Sequence, residues 1–350
     1  MVEKESDKWL GQQMSAGGLQ ESVAATVEAR EAKIRGAAME IVAIVNDWRA
    51  EAAGGMETAI LLWEACVLPS LLQGAGTWVQ ISAATERRLN SLQQWFVRLV
   101  LQVGPGAPLP SLGWETGLMD MRLRVWREKV MLVMHLRQLG EGTLASQVYR
   151  EQVEKGWPGL AKEAKTICEN LAIEDCNETM LNSKDFKKIL KEALKKKDEE
   201  MLRQQATDKS KCDHIMKGAY GKKEYMGKEK LSDVQLQFKS RVRMMPFGGN
   251  YTNDRRFART NWMCRCKLEK ESESHLKDGK CPVYSDIRED YGNLEDDSSL
   301  ASFFSKILER RDLVDRLEEE QEEEDGGIPA LAVGQISADV CQSAAALRPV

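Results

Sequence analysis

The chain has 350 residues, of which 42% are hydrophobic and 30% charged, and its formal net charge is −5. This length allows one large or two modest domains, and the charged content suggests a core that does not extend over the whole chain. The charged start, MVEKESDKWL, excludes a signal peptide. The longest apolar run, residues 59–72, is too short to span a bilayer.

These features predict an intracellular protein of the nucleus or cytoplasm, without a transmembrane segment. Most of the eight cysteines are scattered, as expected in a reducing compartment. The modest net charge hides a strong segregation, because acidic residues concentrate around 318–325 and basic residues between 184 and 260. A nucleic-acid partner is therefore compatible with the negative net charge of the chain.

The first part of the chain predicts a mainly α-helical protein that begins with a helical bundle. A long run without proline, residues 22–48, favours a helix, and an apolar helix over 57–67 is expected to end at Pro69. Residues 85–103 carry one apolar stripe, with Ser82 as the expected N-cap. A loop with three prolines leads to a fourth helix over 119–139. Amphipathic helices joined by short turns predict a bundle over residues 22–145.

The middle of the chain, residues 146–237, is predicted as a basic helical connector. Between 184 and 230 its lysines and arginines outnumber its acids, fifteen to nine. A charge run of this kind is often only the solvated face of a helix. Cys168 and Cys176 are interpreted as structural or incidental.

A basic and aromatic arm follows in residues 238–262, where arginines alternate with aromatic side chains. Arginine for phosphate and aromatic rings for base stacking are typical of surfaces that bind single-stranded or structured RNA. Alternatively, some of these aromatics anchor a small core. The candidate nucleic-acid-binding residues are Arg241, Arg243, Phe247, Tyr251, Arg255, Arg256, Arg259 and Trp262.

The next segment carries a candidate zinc site formed by Cys264, Cys266, His275 and Cys281. Three thiolates and one imidazole complete a tetrahedral ligand set for one structural Zn²⁺. Two cysteines separated by one residue can face the same way in extended chain, and residues 269–277 favour a short helix that projects His275. Gly279 suits the turn that returns Cys281. The alternative is a set of unrelated thiols and a surface histidine.

The predicted zinc-knuckle-like module, with the basic arm, occupies residues 238–297. An amphipathic helix is expected over 298–318, because its apolar residues recur at helical spacing. The Glu-rich run then begins a predicted acidic, disordered tail over 319–350.

The order of several motifs resembles the C-terminal part of LINE-type, non-LTR retrotransposon reverse transcriptases. Lys8-Trp9-Leu10-Gly11 is similar to the segment that closes the palm in this family, and PLPSLGWETG at 108–117 is similar to its thumb and connector. The cysteines and histidine, the CPVY that starts at Cys281 and the IREDYG at 287–292 resemble its CCHC segment. The resemblance implies that residues 1–21 end a palm-like region and that 22–145 form a thumb/connector-like bundle. It also implies that the CCHC part grips the RNA template or the target DNA.

The residues that a polymerase would need are not found in this sequence. A reverse transcriptase holds two Mg²⁺ ions with acidic residues that include an aromatic-x-Asp-Asp hairpin, which in the family precedes the Lys8-Trp9-Leu10-Gly11 segment. The nearest match, at 294–297, lacks the aromatic and surrounding strands, so Asp297 or Ser298 is expected to cap a helix instead. No endonuclease motif was found either. We therefore expect no enzymatic activity and no catalytic residue.

The sequence thus predicts a fragment that binds RNA or DNA and one zinc ion, with no membrane partner. The alternative is a helical protein-interaction module, or a functionless expressed retroelement remnant. A helical protein partner would then be expected to contact residues 85–103 or 300–317.

Overall fold

The structure is a computed structural model that describes most of the chain. The described residues are 6–9, 12–15, 18–49, 53–140, 142–179, 182–207, 209–247, 263–279, 281–292, 294 and 297–324. The chain divides into two compact units, Met1–Pro246 and Phe247–Val350. As predicted, the fold is mainly α-helical, and no helix in the described ranges is both long and apolar enough to cross a membrane.

The first unit begins with a small hairpin and continues as a series of helices. The strands β1 (Ser6–Trp9) and β2 (Gln12–Ser15) pair antiparallel, with Trp9 opposite Gln12. The helices are α1 (Leu19–Arg49), α2 (Gly55–Leu62), α3 (Leu68–Leu71), α4 (Ala83–Leu101), α5 (Leu109–Thr116), α6 (Met121–Gln138), α7 (Leu144–Lys155), α8 (Leu160–Asn170), α9 (Ser183–Ala206), α10 (Asp213–Lys217), α11 (Tyr225–Lys228) and α12 (Leu231–Arg241).

The prediction that Pro69 ends the second helix was wrong. A π-helical turn, Trp63–Val67, follows α2, and the amide of Leu68 donates to the carbonyl of Trp63, five residues back. Pro69 then lies in the first turn of α3, where a missing N–H leaves no helical hydrogen bond unmade. The wider turn upstream thus lets the helical path continue past the proline.

The helix α4 confirms the predicted stripe and its cap. The hydroxyl of Ser82 accepts from the amide of Thr85 at 3.2 Å. Leu89, Leu92 and Phe96 are buried, and Phe96 stacks on Trp63 with ring centroids 4.4 Å apart. This stack joins α4 to the π-helical turn inside the main core of the unit.

The proline-rich segment between α4 and α6, predicted as a loop, contains the helix α5. Pro108 is its N-cap and Pro110 lies in its first turn, so neither ring interrupts a helical hydrogen bond. Gly117 ends the helix with φ +69°. The segment is therefore helical despite its prolines, because they lie at the start of the helix and not in its interior.

A second core packs α6, α7, α8 and α9 together within the same unit. Its buried residues include Val130, Tyr149, Ile167 and Phe186, with Cys168 and Cys176 also fully buried. The predicted boundary at 145/146 falls inside α7, and the one at 237/238 falls inside α12. Phe238 is buried in the main core with Val234 on that helix, so residues 238–246 belong to the first unit.

The second unit contains α13 (Glu273–Lys277), α14 (Ser285–Tyr291) and α15 (Asp297–Glu324). Phe247, Phe303 and Phe304 are fully buried in this unit, and the rings of Phe303 and Phe304 lie 5.4 Å apart. The helix α15 continues beyond the predicted end at 318, because glutamate and glutamine are good helix formers. The predicted acidic tail therefore begins inside a helix, and its residues 325–350 lie outside the described residues.

Candidate metal centre and nucleic-acid interface

The two cysteines closest in sequence lie in a tight turn. The amide of Cys264 donates to the carbonyl of Glu269 at 2.9 Å, and the amide of Lys267 donates to the carbonyl of Cys264 at 2.7 Å. Lys267 adopts φ +60°, which reverses the chain. An isolated bridge between Met263 and Lys270 closes the turn, so Cys264 and Cys266 are held by backbone hydrogen bonds.

His275 comes from the short helix α13. The predicted helix over 269–277 is shorter than expected, because Glu269 and Lys270 are engaged in the turn. The hydroxyl of Ser272 accepts from the amide of His275 at 3.3 Å and caps the helix. Gly279, with φ +79°, then turns the chain so that Cys281 returns to the cluster, as predicted.

The four predicted ligands meet in one place. Their ligand atoms all lie within 4.8 Å of one another, and Cys264, His275 and Cys281 are buried. The Sγ atoms of Cys264 and Cys281 are 3.4 Å apart, and the Sγ of Cys266 is 3.2 Å from Nε2 of His275. Ligands around a tetrahedral zinc ion are separated by about 3.6 to 3.8 Å. The two short separations are a few tenths of an ångström below this range, and all ligand atoms lie within 4.8 Å of one another, so small movements would bring them to zinc-binding distances. Within the described ranges, this is the one group of three or more side chains able to share a metal ion.

Neighbouring groups orient the ligands of this cluster. Nδ1 of His275 lies 3.4 Å from Oε2 of Glu269 but makes no hydrogen bond, so this carboxylate is a nearby acceptor that a small shift would engage. The amide of Leu268 donates to the Sγ of Cys266 at 3.4 Å. The guanidinium of Arg288 donates to the carbonyls of Leu276 and Cys281. These hydrogen bonds link α13 to Cys281 across the turn at Gly279. Glu269 and Arg288 had no role in the site predicted from the sequence, although a carboxylate near a candidate histidine ligand was a usable signal.

The thiols of the cluster differ in acidity. Burial raises the pKa of Cys264 to about 12. At Cys266 burial acts in the same direction, but the amide of Leu268, the thiol of Cys264 and other neighbours outweigh it and lower the pKa to about 7. Cys266 thus offers a thiolate readily near neutral pH, whereas a bound cation would have to favour the thiolate of Cys264.

Arg241, predicted to contact phosphate, is instead engaged inside the first unit. Its Nη2 lies 3.2 Å from Oε1 of Glu115, whose side chain is fully buried. The hydroxyl of Tyr225 donates to the other carboxylate oxygen at 3.1 Å. Burial raises the pKa of Glu115, and Arg241 opposes this shift. Because an unpaired buried charge is costly, Arg241 acts here as the partner of Glu115, which corrects the prediction.

His214, which had no predicted role, extends the same buried group. Its Nε2 lies 3.5 Å from Oε1 of Glu115. Burial, together with the charges of Arg241 and Lys223, lowers the pKa of His214 to about 4. The imidazole is therefore neutral at pH 7, and the buried Glu115 is paired with Arg241 and not with a histidinium.

Phe247 is also a correction, because its ring is fully buried in the second unit. It packs edge-on against Phe304, with centroids 5.2 Å apart. A ring in this position has no free face for a nucleic-acid base. Phe247 thus follows the alternative interpretation, in which aromatic residues of this segment anchor a small core.

Arg243 is the remaining described residue of the predicted interface. More than half of its side chain is exposed, and its Nη2 lies 3.2 Å from Oδ2 of the equally exposed Asp213. An exposed pair of this kind is weak and exchanges readily with other anions. The other predicted residues, Tyr251, Arg255, Arg256, Arg259 and Trp262, lie outside the described residues.

No protein-family model, curated protein or solved structure matches this chain. The resemblance to LINE-type reverse transcriptases therefore stays a prediction from the order of residues in the sequence. Any functional conclusion depends on the chemistry of the described side chains and on the sequence itself.

Proposed function

We propose that the chain is a nucleic-acid-binding protein whose second unit is stabilised by one structural zinc ion. The observation that carries this proposal is the meeting of Cys264, Cys266, His275 and Cys281, with ligand atoms within 4.8 Å of one another. The proposed ion has four protein ligands and no open position, which is typical of structural rather than catalytic zinc.

Zinc is favoured over other metals by the chemistry of the ligands. Three sulfurs and one imidazole nitrogen suit a borderline-soft ion with tetrahedral geometry, whereas magnesium and calcium prefer oxygen ligands. Burial of three of the four ligands removes them from water, and the carboxylate of Glu269 near His275 resembles the outer partners of zinc-bound histidines. We therefore assign the cluster to zinc.

The proposed nucleic-acid contact involves the basic segment that leads into the zinc cluster. Arg255, Arg256 and Arg259 are close together in the sequence, with Tyr251 and Trp262 on either side. Arginines bind phosphates and aromatic rings stack on bases, which together support binding of single-stranded RNA or DNA. Exposed Arg243 adds to this set, whereas Arg241 and Phe247 do not.

The resemblance to LINE-type reverse transcriptases supports the same function. In that family the corresponding part is expected to hold the RNA template or the target DNA. We extend only binding to this chain, because the acidic residues of a polymerase site were not found in the sequence. The proposed role is thus nucleic-acid binding by a retrotransposon-derived chain.

Native mass spectrometry of protein purified without added metal tests the zinc site. We expect one zinc ion per chain, lost in Cys281→Ser. The matched control is Cys66→Ser, because Cys66 is exposed and lies outside the cluster. Absence of zinc from the wild-type protein, or equal loss in both variants, would contradict the assignment.

Titration of RNA and DNA oligonucleotides at several salt concentrations tests the binding function. Replacing Arg255, Arg256 and Arg259 by glutamine should weaken binding and reduce the slope of log K against log salt by about 2 for a single strand. Glutamine at Arg87, Arg127 and Arg150, on α4, α6 and α7, changes the net charge equally and should leave the slope unchanged. Salt-insensitive self-association without nucleic-acid affinity would support a helical interaction module instead.

A further inference from the structure

The longest basic run of the chain forms the helix α9. Asn182 caps it, and its side-chain oxygen accepts from the amides of Lys184 and Asp185 at 3.0 Å each. Phe186, Leu190 and Leu194 recur every four residues and are buried in the second core of the first unit. The apolar face of α9 is thus already covered by its own unit.

The opposite face of α9 carries a row of lysines, Lys184, Lys188, Lys191 and Lys195, which we call the lysine stripe. These positions are i, i+4, i+7 and i+11, so they share one face of the helix, and all four side chains are exposed. Lys187 is exposed beside them. Other cations of the same helix do pair with acids, such as Lys197 with Glu200 and Arg203 with Glu199. For the stripe, the described part of the chain shows no such pair.

The spacing of the stripe disfavours the helix by itself. Lysines three and four residues apart are neighbours on the surface, and like charges at this spacing repel. A merely solvated helical face usually alternates positive and negative charges. Residues 184–197 contain seven lysines and two acids, Asp185 and Glu192, and the next three residues of the helix are acidic. The acids offset the repulsion only in part, because Lys184 and Lys191 have no acid three or four residues away. A negatively charged partner would relieve it.

We propose that the lysine stripe binds the phosphate backbone of RNA or DNA. From Lys184 to Lys195 the helix rises by about 16 Å, which is the length occupied by about five phosphates of one strand in a duplex. Four lysines along that length can neutralise phosphates of one strand, and such contacts do not depend on the base sequence. This inference rests on the proposed function and adds a contact surface in the first unit.

A lipid surface suits α9 less well than a nucleic acid. A helix that lies on a membrane inserts an apolar face beside its basic residues. Here Phe186, Leu190 and Leu194 are buried in the protein core and are not available for insertion. Between Lys184 and Lys196 the exposed side chains are charged apart from Ile189, and one apolar side chain is too small a surface for insertion. Charge is the chemistry that a phosphate backbone needs.

The test compares two variants of the 350-residue chain, both loaded with zinc, that carry four substitutions each. The first replaces Lys184, Lys188, Lys191 and Lys195 by glutamine, which keeps the helix propensity. The second, a control with the same change in net charge, replaces Lys33, Lys155, Lys165 and Lys228. Three of these control lysines already lie beside a carboxylate: Lys155 near Glu151, Lys165 near Asp175 and Lys228 near Glu224. Circular dichroism verifies that both variants are folded.

Fluorescence anisotropy with single-stranded RNA, single-stranded DNA and duplex DNA gives affinity and salt dependence. We expect the stripe variant to bind at least about tenfold more weakly at 0.1 M salt, with a slope of log K against log salt smaller by about 3 for a single strand. The control variant should match the wild type. Comparison of the three oligonucleotides identifies which backbone is preferred.

Each contrary outcome is distinguishable. If the wild type binds no nucleic acid, the proposed function fails together with this inference. If the wild type binds and the stripe variant binds equally well with the same slope, only the stripe is overturned. Equal losses in both variants would show an effect of net charge alone and would also overturn it. So would tighter binding of the wild type to vesicles of phosphatidylcholine and phosphatidylserine in equal parts than to any oligonucleotide.

Discussion

At the scale of single residues, burial changes the pKa of a side chain in a way that the neighbouring sequence does not predict. Asp198 lies on α9 and its side chain is buried, accepting hydrogen bonds from the hydroxyl of Tyr220 and from the amide of Asp120 at 3.2 Å. Burial raises the pKa of this carboxyl to about 6. In the sequence Asp198 is one acid among many in a charged helix, and only its packing against residues distant in sequence distinguishes it.

Asp198→Asn should change how stability depends on pH. The folded protein keeps the proton on Asp198 up to about pH 6, whereas the unfolded chain loses it near pH 4. This contribution to the free energy of unfolding is therefore complete below pH 4 and is lost as pH rises through 6. We expect Asp198→Asn to gain about 2.5 kcal/mol relative to the wild type between pH 4 and pH 7.5.

Urea denaturation of both proteins at the two pH values measures the change. Glu192→Gln, which removes one acid at an exposed position of the same helix, is the matched control for the change in charge. A constant difference between Asp198→Asn and the wild type from pH 4 to 7.5 would refute the assignment of a raised pKa.

At the scale of elements, the ends of the helices depend on backbone conformations that most residues adopt at a cost. Gly117 ends α5 with φ +69°, and Gly156 ends α7 with φ +62°. A Cβ at Gly117 would lie 2.6 Å from the amide nitrogen of Lys222, whereas a Cβ at Gly156 would meet nothing within 4 Å. Both glycines satisfy the left-handed cap, but only Gly117 also allows a second segment to approach closely.

Gly117→Ala should therefore destabilise the protein more than Gly156→Ala. Each substitution forces alanine into the left-handed region, at about 1–2 kcal/mol. Gly117→Ala must in addition displace the backbone at Lys222, next to the hydrogen bond from the amide of Lys223 to the carbonyl of Glu115. Thermal unfolding of the two variants measures the difference, and equal losses of stability would show that the close approach is not rigid.

The candidate site was largely predictable at this scale, whereas the elements around it were less so. Cysteine and histidine ligands can be identified in sequence because few other roles suit three cysteines and a histidine in so polar a segment. The length of α13 was not predictable, because Glu269 and Lys270 are held in the turn by backbone contacts that local helix propensity does not include.

Across the whole molecule, the two units differ in how they are stabilised. The first unit has extensive helical cores, formed mainly by long amphipathic helices. The second combines a small aromatic core around Phe303 and Phe304 with the Cys/His cluster. With the proposed zinc ion bound at this cluster, the free energy of metal binding would contribute directly to folding of the second unit.

Removal of metal by a chelator should therefore open the second unit and leave the first intact. Limited trypsin digestion of the full chain, with mapping by mass spectrometry, is the measurement. Cleavage after Arg288 is the specific signal, because its guanidinium holds the carbonyls of Leu276 and Cys281. Cys281→Ser should be cleaved there with or without chelator. Equal protection of Arg288 in the wild type before and after chelation would argue against a structural metal.

The sequence by itself determined the helical fold class, the principal helices and the four side chains of the candidate metal centre. These features depend on local periodicity, capping and ligand chemistry, which act over a few residues. Only the tertiary structure decided that Arg241 pairs with Glu115, 126 residues away, and that Phe247 is buried. It also decided that the proline-rich segment folds as α5 and that residues 238–246 belong to the first unit. The reason is physical: burial and ion pairing depend on residues that are distant in sequence, and a local pattern does not contain them.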